Sequence, residues 1–263
     1  MSDTLGVTRT GPGVATVTMN RPDVHNAFDD ALIVELTTTL AALDADATVR
    51  VVVLAAAGRS FSAGADLQWM KRMAQFSDDE NLRDARALAG LMRTLDRMAK
   101  PTIARVQGAA FGGGVGLVAC CDMAIAAREA VFCLSEVRLG LIPAVISPYV
   151  VQAIGARAAR RYFLTAERFD APEAQRLGLI NGVVDAAELD AAVASLVKPL
   201  LAGGPVAMAA AKALIAAVDN RPIEAGVIDD TARRIAQQRV CDEGREGVAA
   251  FLEKRAAAWI GQP

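Results

Sequence analysis

Val106-Gln107-Gly108-Ala109-Ala110-Phe111-Gly112-Gly113-Gly114-Val115-Gly116 joins an apolar run of strand character to a run, residues 115–120, that reads as a buried helix. Consecutive glycines leave the backbone bare, so another segment or a ligand can lie directly against its N–H groups. At a helix start those groups also sit at the positive end of the macrodipole, where developing negative charge is stabilised. A glycine turn that only packs a helix closely on a sheet has the same composition, so this stretch alone leaves both readings open.

Upstream, the apolar run at 51–55 ends in Arg59-Ser60-Phe61-Ser62-Ala63-Gly64-Ala65-Asp66-Leu67. Here too small residues and a glycine follow a buried strand, which puts a second bare N–H at the strands' carboxyl ends. Two such donors facing one crevice make an oxyanion hole.

The rest of the chain sets these loops in an alternating frame. Residues 5–19 read as a hairpin around Gly11-Pro12-Gly13. Asp29 or Asp30 caps a helix whose Ile33, Leu36, Leu40 and Leu43 share a face. A helix from about Asp79 carries Leu82, Leu88, Leu91, Leu95 and Met98 on one side, and strands are expected at 51–54, 102–106, 123–126, 131–134 and 182–184. Helices begin near Val145, and the chain is helical beyond Pro205, with breaks at Asn220-Arg221-Pro222 and near Asp242-Glu243-Gly244. Apolar strands alternating with helices indicate an α/β fold with a parallel sheet.

Composition narrows the function. A chain of 263 residues buries a sizeable core, and its 28 basic and 30 acidic side chains are interspersed, without the basic stripe of a nucleic-acid binder. The start has no signal or transit pattern, and Gly140, Pro143, Pro148 and Gln152 interrupt the longest uncharged stretch, so a cytoplasmic protein without a membrane span is expected. Cys120, Cys121, Cys133 and Cys241 lack paired spacing. His25 is the only histidine and reads as a loop residue lining the cleft; no metal site is expected.

Taken in order, six landmarks resemble the crotonase, or enoyl-CoA hydratase/isomerase, superfamily over nearly the whole chain. They are Asn20-Arg21-Pro22 with His25-Asn26-Ala27, the Phe61-to-Asp66 loop, the triple glycine, Cys121-Asp122, Ser135-Glu136-Val137-Arg138-Leu139-Gly140, and Ala250-Phe251-Leu252-Glu253-Lys254-Arg255. The resemblance implies a superhelix of ββα turns over residues 1–200 and a C-terminal α-helical trimerisation segment over 201–263, the trimer often doubled to a hexamer. It implies an acyl-CoA substrate, with no cofactor beyond the coenzyme A that the substrate carries.

Carried over by position, the resemblance makes the N–H groups of Ala65 and Gly113 the oxyanion pair and Glu136 the catalytic carboxylate. Read without it, Glu136 beside Arg138 is a solvated ion pair. The CoA and acyl groups would lie along Ala63, Gly64, Ala65, Asp66, Leu67, Gln68 and Trp69, by Gly112, Gly113 and Gly116, and near His25. Phe251 and Lys254 match residues that reach CoA, in some relatives from a neighbouring subunit; otherwise they belong to a surface helix. Trp69, Met70 and Met73 have a helical spacing that suits an acyl-pocket floor and ordinary core equally.

At Gly116 the chain departs from the pattern, because hydratases of the family usually carry a first glutamate there. The vacated volume is expected to admit a water or a substrate branch, the alternative being close backbone packing. Ile142-Pro143-Ala144-Val145-Ile146-Ser147-Pro148-Tyr149 replaces a glycine run. With Trp69-Met70 and residues 160–169, it resembles the branch that hydrates methylglutaconyl-CoA or isohexenylglutaconyl-CoA in leucine and acyclic-terpenoid degradation. The resemblance thus implies hydration of an α,β-unsaturated acyl-CoA, branched or carboxylated, with one glutamate as acid and base. A Δ3-Δ2 enoyl-CoA isomerase using the same glutamate and a non-catalytic acyl-CoA binder remain open.

Overall fold

The computed structural model describes residues 4–261. Its elements are β1 (Leu5–Gly11), β2 (Val14–Met19), α1 (Asp30–Ala45), β3 (Val51–Ala56), α2 (Leu67–Met73), α3 (Asp78–Asp96), β4 (Thr102–Val106), β5 (Ala109–Phe111), α4 (Gly113–Cys120), β6 (Met123–Ala127) and β7 (Val131–Cys133). There follow α5 (Ser147–Thr165), β8 (Phe169–Asp170), α6 (Ala171–Leu177), β9 (Gly182–Val184), α7 (Leu189–Ala202), α8 (Pro205–Val218), α9 (Ala225–Val240) and α10 (Asp242–Leu252).

The main sheet has the order β1-β2-β3-β4-β6-β9. The β1–β2 hairpin is antiparallel and every other pairing in that sheet is parallel. A second sheet, β5-β7-β8, takes up the chain where it leaves the first. Three successive turns repeat one plan: β3 runs on to Ser62, which bridges Ala110, and then to α2 and α3; β4 continues as β5 and α4; β6 continues as β7 and α5. This is a superhelix of ββα turns.

Local chemistry accounts for the starts of its helices. Asp29 accepts from Leu32 N–H and caps α1, and Ser77 and Glu80 form a reciprocal capping box on α3. Leu32, Ile33, Leu36, Leu40 and Leu43 of α1 and Leu91, Met92 and Leu95 of α3 are buried in the core between the sheet and the helices. Leu82, expected on the same stripe, is 48% exposed. Only the later part of the stripe, from Leu88 onward, packs on the core.

On the other face of the sheet, Val14, Val51, Val53, Ile103 and Ile125 pack with Leu189 and Val193 of α7. Both faces of β3 are therefore covered, which is why all six of its residues are apolar and buried. Beyond α7, helices α8–α10 pack mainly on one another. No single described helix is long and apolar enough to cross a membrane.

Candidate active site

The two glycine-bearing loops are zipped together. Ser62 N–H donates to Ala109 C=O (3.0 Å) and Phe111 N–H donates to Ser62 C=O (2.8 Å). Gly64 and Gly112 then meet face to face. A Cβ on Gly64 would lie 3.1 Å from Phe111 O, and one on Gly112 would lie 3.9 Å from Gly64 Cα. Both residues have positive φ, +90° and +50°, so side chains are barred by backbone strain as well as by the close approach.

Ala65 and Gly113 follow directly on the two glycines that meet. Among the described residues neither the Ala65 N–H nor the Gly113 N–H donates to any acceptor within the chain. Gly113 opens α4, and Phe28 supports the pair from beneath. Phe28 N–H donates to Gly64 O, Phe28 O accepts from Asp66 N–H (both 2.7 Å), and its ring lies where a Cβ on Gly113 would sit.

A second layer holds the first loop in shape. Asn26, fully buried, donates to Ala57 O and Ser60 O and accepts from Arg21 N–H, all at 2.8 Å. Ser62 Oγ donates to Asn26 O (2.8 Å). Arg59 donates to His25 Nε2 (3.0 Å), which leaves the ring proton on Nδ1, 3.0 Å from Ser60 Oγ. His25 is thus built into the loop base. Asn26 and Ser62 stand in the sequence motifs without an expected role; such buried amide and hydroxyl groups become legible only when their partners are known.

Glu136 follows β7 in a short 3-10 turn, Glu136–Leu139, and its Oε1 lies 3.1 Å from the place of a Gly112 Cβ. Its other oxygen is buried with no hydrogen-bond partner. Burial raises its pKa above the ordinary carboxylate value, offset in part by its own backbone N–H. No ion pair joins it to Arg138 among the described residues. The solvated-pair reading is therefore excluded. A carboxyl group short of partners beside two N–H groups short of acceptors can move a proton next to an oxygen that gains negative charge.

Other expected site residues are placed as follows. Ala63 donates to His25 O (2.9 Å), and Leu67 and Gln68 are exposed beside Ala65. Asp66 caps α2 through Gln68 and Trp69 N–H and pairs with Arg21 (3.2 Å). Burial alone would raise its pKa, but the helix-end N–H groups and Arg21 prevail and lower it. Trp69 is 3% exposed in the core, its Nε1 donating to Asp84 Oδ1 (3.1 Å), with Met73 packed on the same cluster. Phe251, in the last turn of α10, is 82% exposed, and no described hydrogen bond or ion pair ties it or the Lys254 side chain to the crevice of its own chain.

Gly116 requires a correction. The space beside it is filled: a Cβ there would lie 2.2 Å from Ile146 Cγ2 and 3.3 Å from Met92 Cε. Its place is therefore one of close packing, with no room for a water or a substrate branch. A cavity of about 1230 Å³ lies under α7 against β2 and β3, and neither Glu136 nor the two donors line it. Among the described residues no group of three or more His, Cys, Asp or Glu is placed to hold a metal ion.

Comparison with known proteins agrees with this fold. The sequence pattern of the enoyl-CoA hydratase/isomerase family matches residues 9–262. The crystal structure of an enoyl-CoA hydratase from Shewanella pealeana superposes with a TM-score of 0.95 at 49% identity, over 97% of this chain and 96% of that one. Enoyl-CoA hydratase domain-containing protein 2, mitochondrial, of Mus musculus is 34% identical over 96% of this chain and 87% of its own length. The hydroxycinnamoyl-CoA hydratase-lyase of Pseudomonas fluorescens is 36% identical over 76% and 74%. With a ββα superhelix, two zipped glycine loops and a family pattern running almost from end to end, the chain belongs to the enoyl-CoA hydratase/isomerase family.

Proposed function

We propose that the chain is an enoyl-CoA hydratase in which Glu136 is the single acid–base group and the Ala65 and Gly113 N–H groups hold the thioester oxygen. The observation that carries this reading is the Glu136 carboxyl group, partly buried and with one oxygen unpartnered, against Gly112 and next to two N–H groups without acceptors. Family membership supports it through the activity named for the relatives.

In the reaction, ionised Glu136 accepts a proton from water as the water oxygen bonds to the β carbon. The C=C electron pair moves onto the thioester oxygen, where the two N–H groups stabilise the enolate. Glu136 then returns the proton to the α carbon on the same face as the carbonyl re-forms, so atoms and charge balance with one carboxyl group. The CoA portion is assigned to Ala63–Gln68 and His25, completed by Phe251 and Lys254 of a second copy in a trimer or hexamer. The acyl group is taken as branched or carboxylated, from the likeness of residues 142–149 to the methylglutaconyl-CoA and isohexenylglutaconyl-CoA hydratases.

One observation favours a second reading. Because Ile146 fills the space at Gly116, the site has one carboxylate, enough to carry a proton between the α and γ carbons of an enoyl-CoA. Assays on matched 2-enoyl and 3-enoyl thioesters, straight and branched, separate the two: loss of conjugated-enoyl absorbance with water addition marks the hydratase, and its appearance from a 3-enoyl substrate marks the isomerase. In either case Glu136→Gln is expected to lower turnover by about 10²–10⁴ with acyl-CoA affinity within a few fold. Retention of more than about a tenth of the rate would remove Glu136 from the mechanism.

A further inference from the structure

The hollow at Gly116 and the position of Glu136 are linked through one stretch of chain. Glu136 opens its 3-10 turn, and ten residues on, Ile146 precedes α5. Between them Arg138 to Ile142 and Ala144 are exposed, whereas Pro143 and Ile146 are buried. The backbone bonds of this stretch, Arg138 N–H to Ser135 O, Gly140 N–H to Val137 O, Leu141 N–H to Glu136 O and Ala144 N–H to Ile142 O, are all local. Val150 N–H donates to Ile146 O and joins the stretch to α5; the backbone tie to the α4 start, Gly112 N–H to Cys133 O (2.9 Å), ends three residues before Glu136, so from Glu136 to Ile146 attachment to α4 rests on side chains.

Two side chains from this stretch approach α4. Glu136 Oε1 lies against Gly112, just before the helix, and Ile146 lies against Gly116, one turn into it. Four residues of helix separate these points by about 6 Å. Between them is Gly113, whose N–H is one of the two oxyanion donors in the reading above. Ile146 is 3% exposed, with Met92 also against Gly116, so its side chain is held on several sides and can transmit a fixed distance.

We infer that Ile146, seated in the hollow left by Gly116, is a positioning residue that holds the Glu136 segment at its working distance from the oxyanion donors. The inference rests on Glu136 being the acid–base group. It gives the missing glutamate a structural consequence: the site that lacks a second carboxylate gains an apolar anchor for the remaining one. A gap of one or two methyl groups at Ile146 lets the exposed segment drift, and misplacement by about 1 Å costs up to about 10² in rate.

Ile146→Ala is the test, beside Ile146→Val and a control truncation, Leu40→Ala, in α1 of the same core. The expected result is a fall in kcat of about 10- to 100-fold with KM within about threefold, near-normal activity in Ile146→Val, and little change in Leu40→Ala. The acid limb of the kcat profile should also move toward lower pH in Ile146→Ala, since looser packing admits water to Glu136 and lessens the effect of burial. If Ile146→Ala does not fold, Ile146→Leu carries the same test, its γ-branch being misfitted to the hollow. An anchor variant that keeps the wild-type kcat, or loses no more than Leu40→Ala with the acid limb unmoved, overturns the inference. Activity in Glu136→Gln would instead overturn the functional reading, and the two failures are therefore distinct.

Discussion

The turn around α4 and the C-terminal helices α8–α10 are opposites in how they use apolar residues. Six of the eight residues of α4 are buried, each glycine there or just before it admitting a neighbour, whether Glu136, Phe28, Ser62 or Ile146. In α8 no residue is buried, in α9 only Val227 and in α10 only Ala250. Yet Ile215, Ile228, Ile235, Val240, Val248, Phe251 and Leu252 are exposed on or beside these helices. One region completes its packing within the chain; the other presents apolar faces that call for a further surface. On the proposed reading the chemistry uses the self-sufficient region, where a misplaced atom costs rate, and self-association would use the other.

The strongest way to break this contrast is at Gly112. In Gly112→Ala the new methyl group would face Glu136 Oε1 at 3.1 Å on a backbone with φ +50° and ψ −119°, conformations that L side chains rarely adopt. We expect kcat to fall by about 10²–10³, the scale of losing an oxyanion donor, with a stability loss of about 1–3 kcal/mol from the strained backbone. A variant with normal kinetics would show that the close approach of the two loops is not needed for turnover.

The complementary test acts on α9. Ile228→Lys with Ile235→Lys places two charges on its exposed apolar side. Light scattering of the wild type should give three or six times the 27.5 kDa chain mass, and the double variant should shift toward one chain. CoA affinity should fall with it, while the fold, measured by circular dichroism, stays. A wild-type monomer at micromolar concentration would end the assignment of these faces to self-association.

The smallest effect sharpens the first region. Burial raises the Glu136 pKa, so the folded state binds that proton more tightly than the unfolded chain. This contribution to stability is fully present below the unfolded value of about 4.3 and is lost as pH rises through the higher folded one. Glu136→Gln removes the poorly solvated charge. It should therefore raise Tm by a few degrees at about pH 8 and make little difference at about pH 4, where the wild type is protonated. Equal Tm values at both pH values would mean that the charged form is well solvated, and with it the argument for a tuned base would fall.

Most of the frame was legible in the sequence because its signals are local. Asp29 before an apolar stripe, the continuous apolar run of β3 and the glycines after β3 and β4 each state a neighbourhood in a few residues, and the expected strands recur within one or two residues of their observed bounds. The short elements β5 and β8 leave no mark in the sequence, since two or three residues carry no period; they exist because β7 lies between them to pair with. Trp69 had two equal readings from its helical spacing, and the bond to Asp84, fifteen residues away, places it in the core.

By itself, then, the sequence determined the α/β alternation, the two bare loops and the presence of a lone glutamate after β7, because backbone freedom and hydrophobic period are properties of adjacent residues. Only the tertiary structure decided that the loops carrying Ala65 and Gly113 meet at Gly64 and Gly112, that among the described residues no arginine pairs with Glu136, and that the hollow at Gly116 is occupied by Ile146 thirty residues later. A missing side chain leaves a volume, and what fills a volume is settled by whichever distant segment packs into it, since protein interiors tolerate few voids.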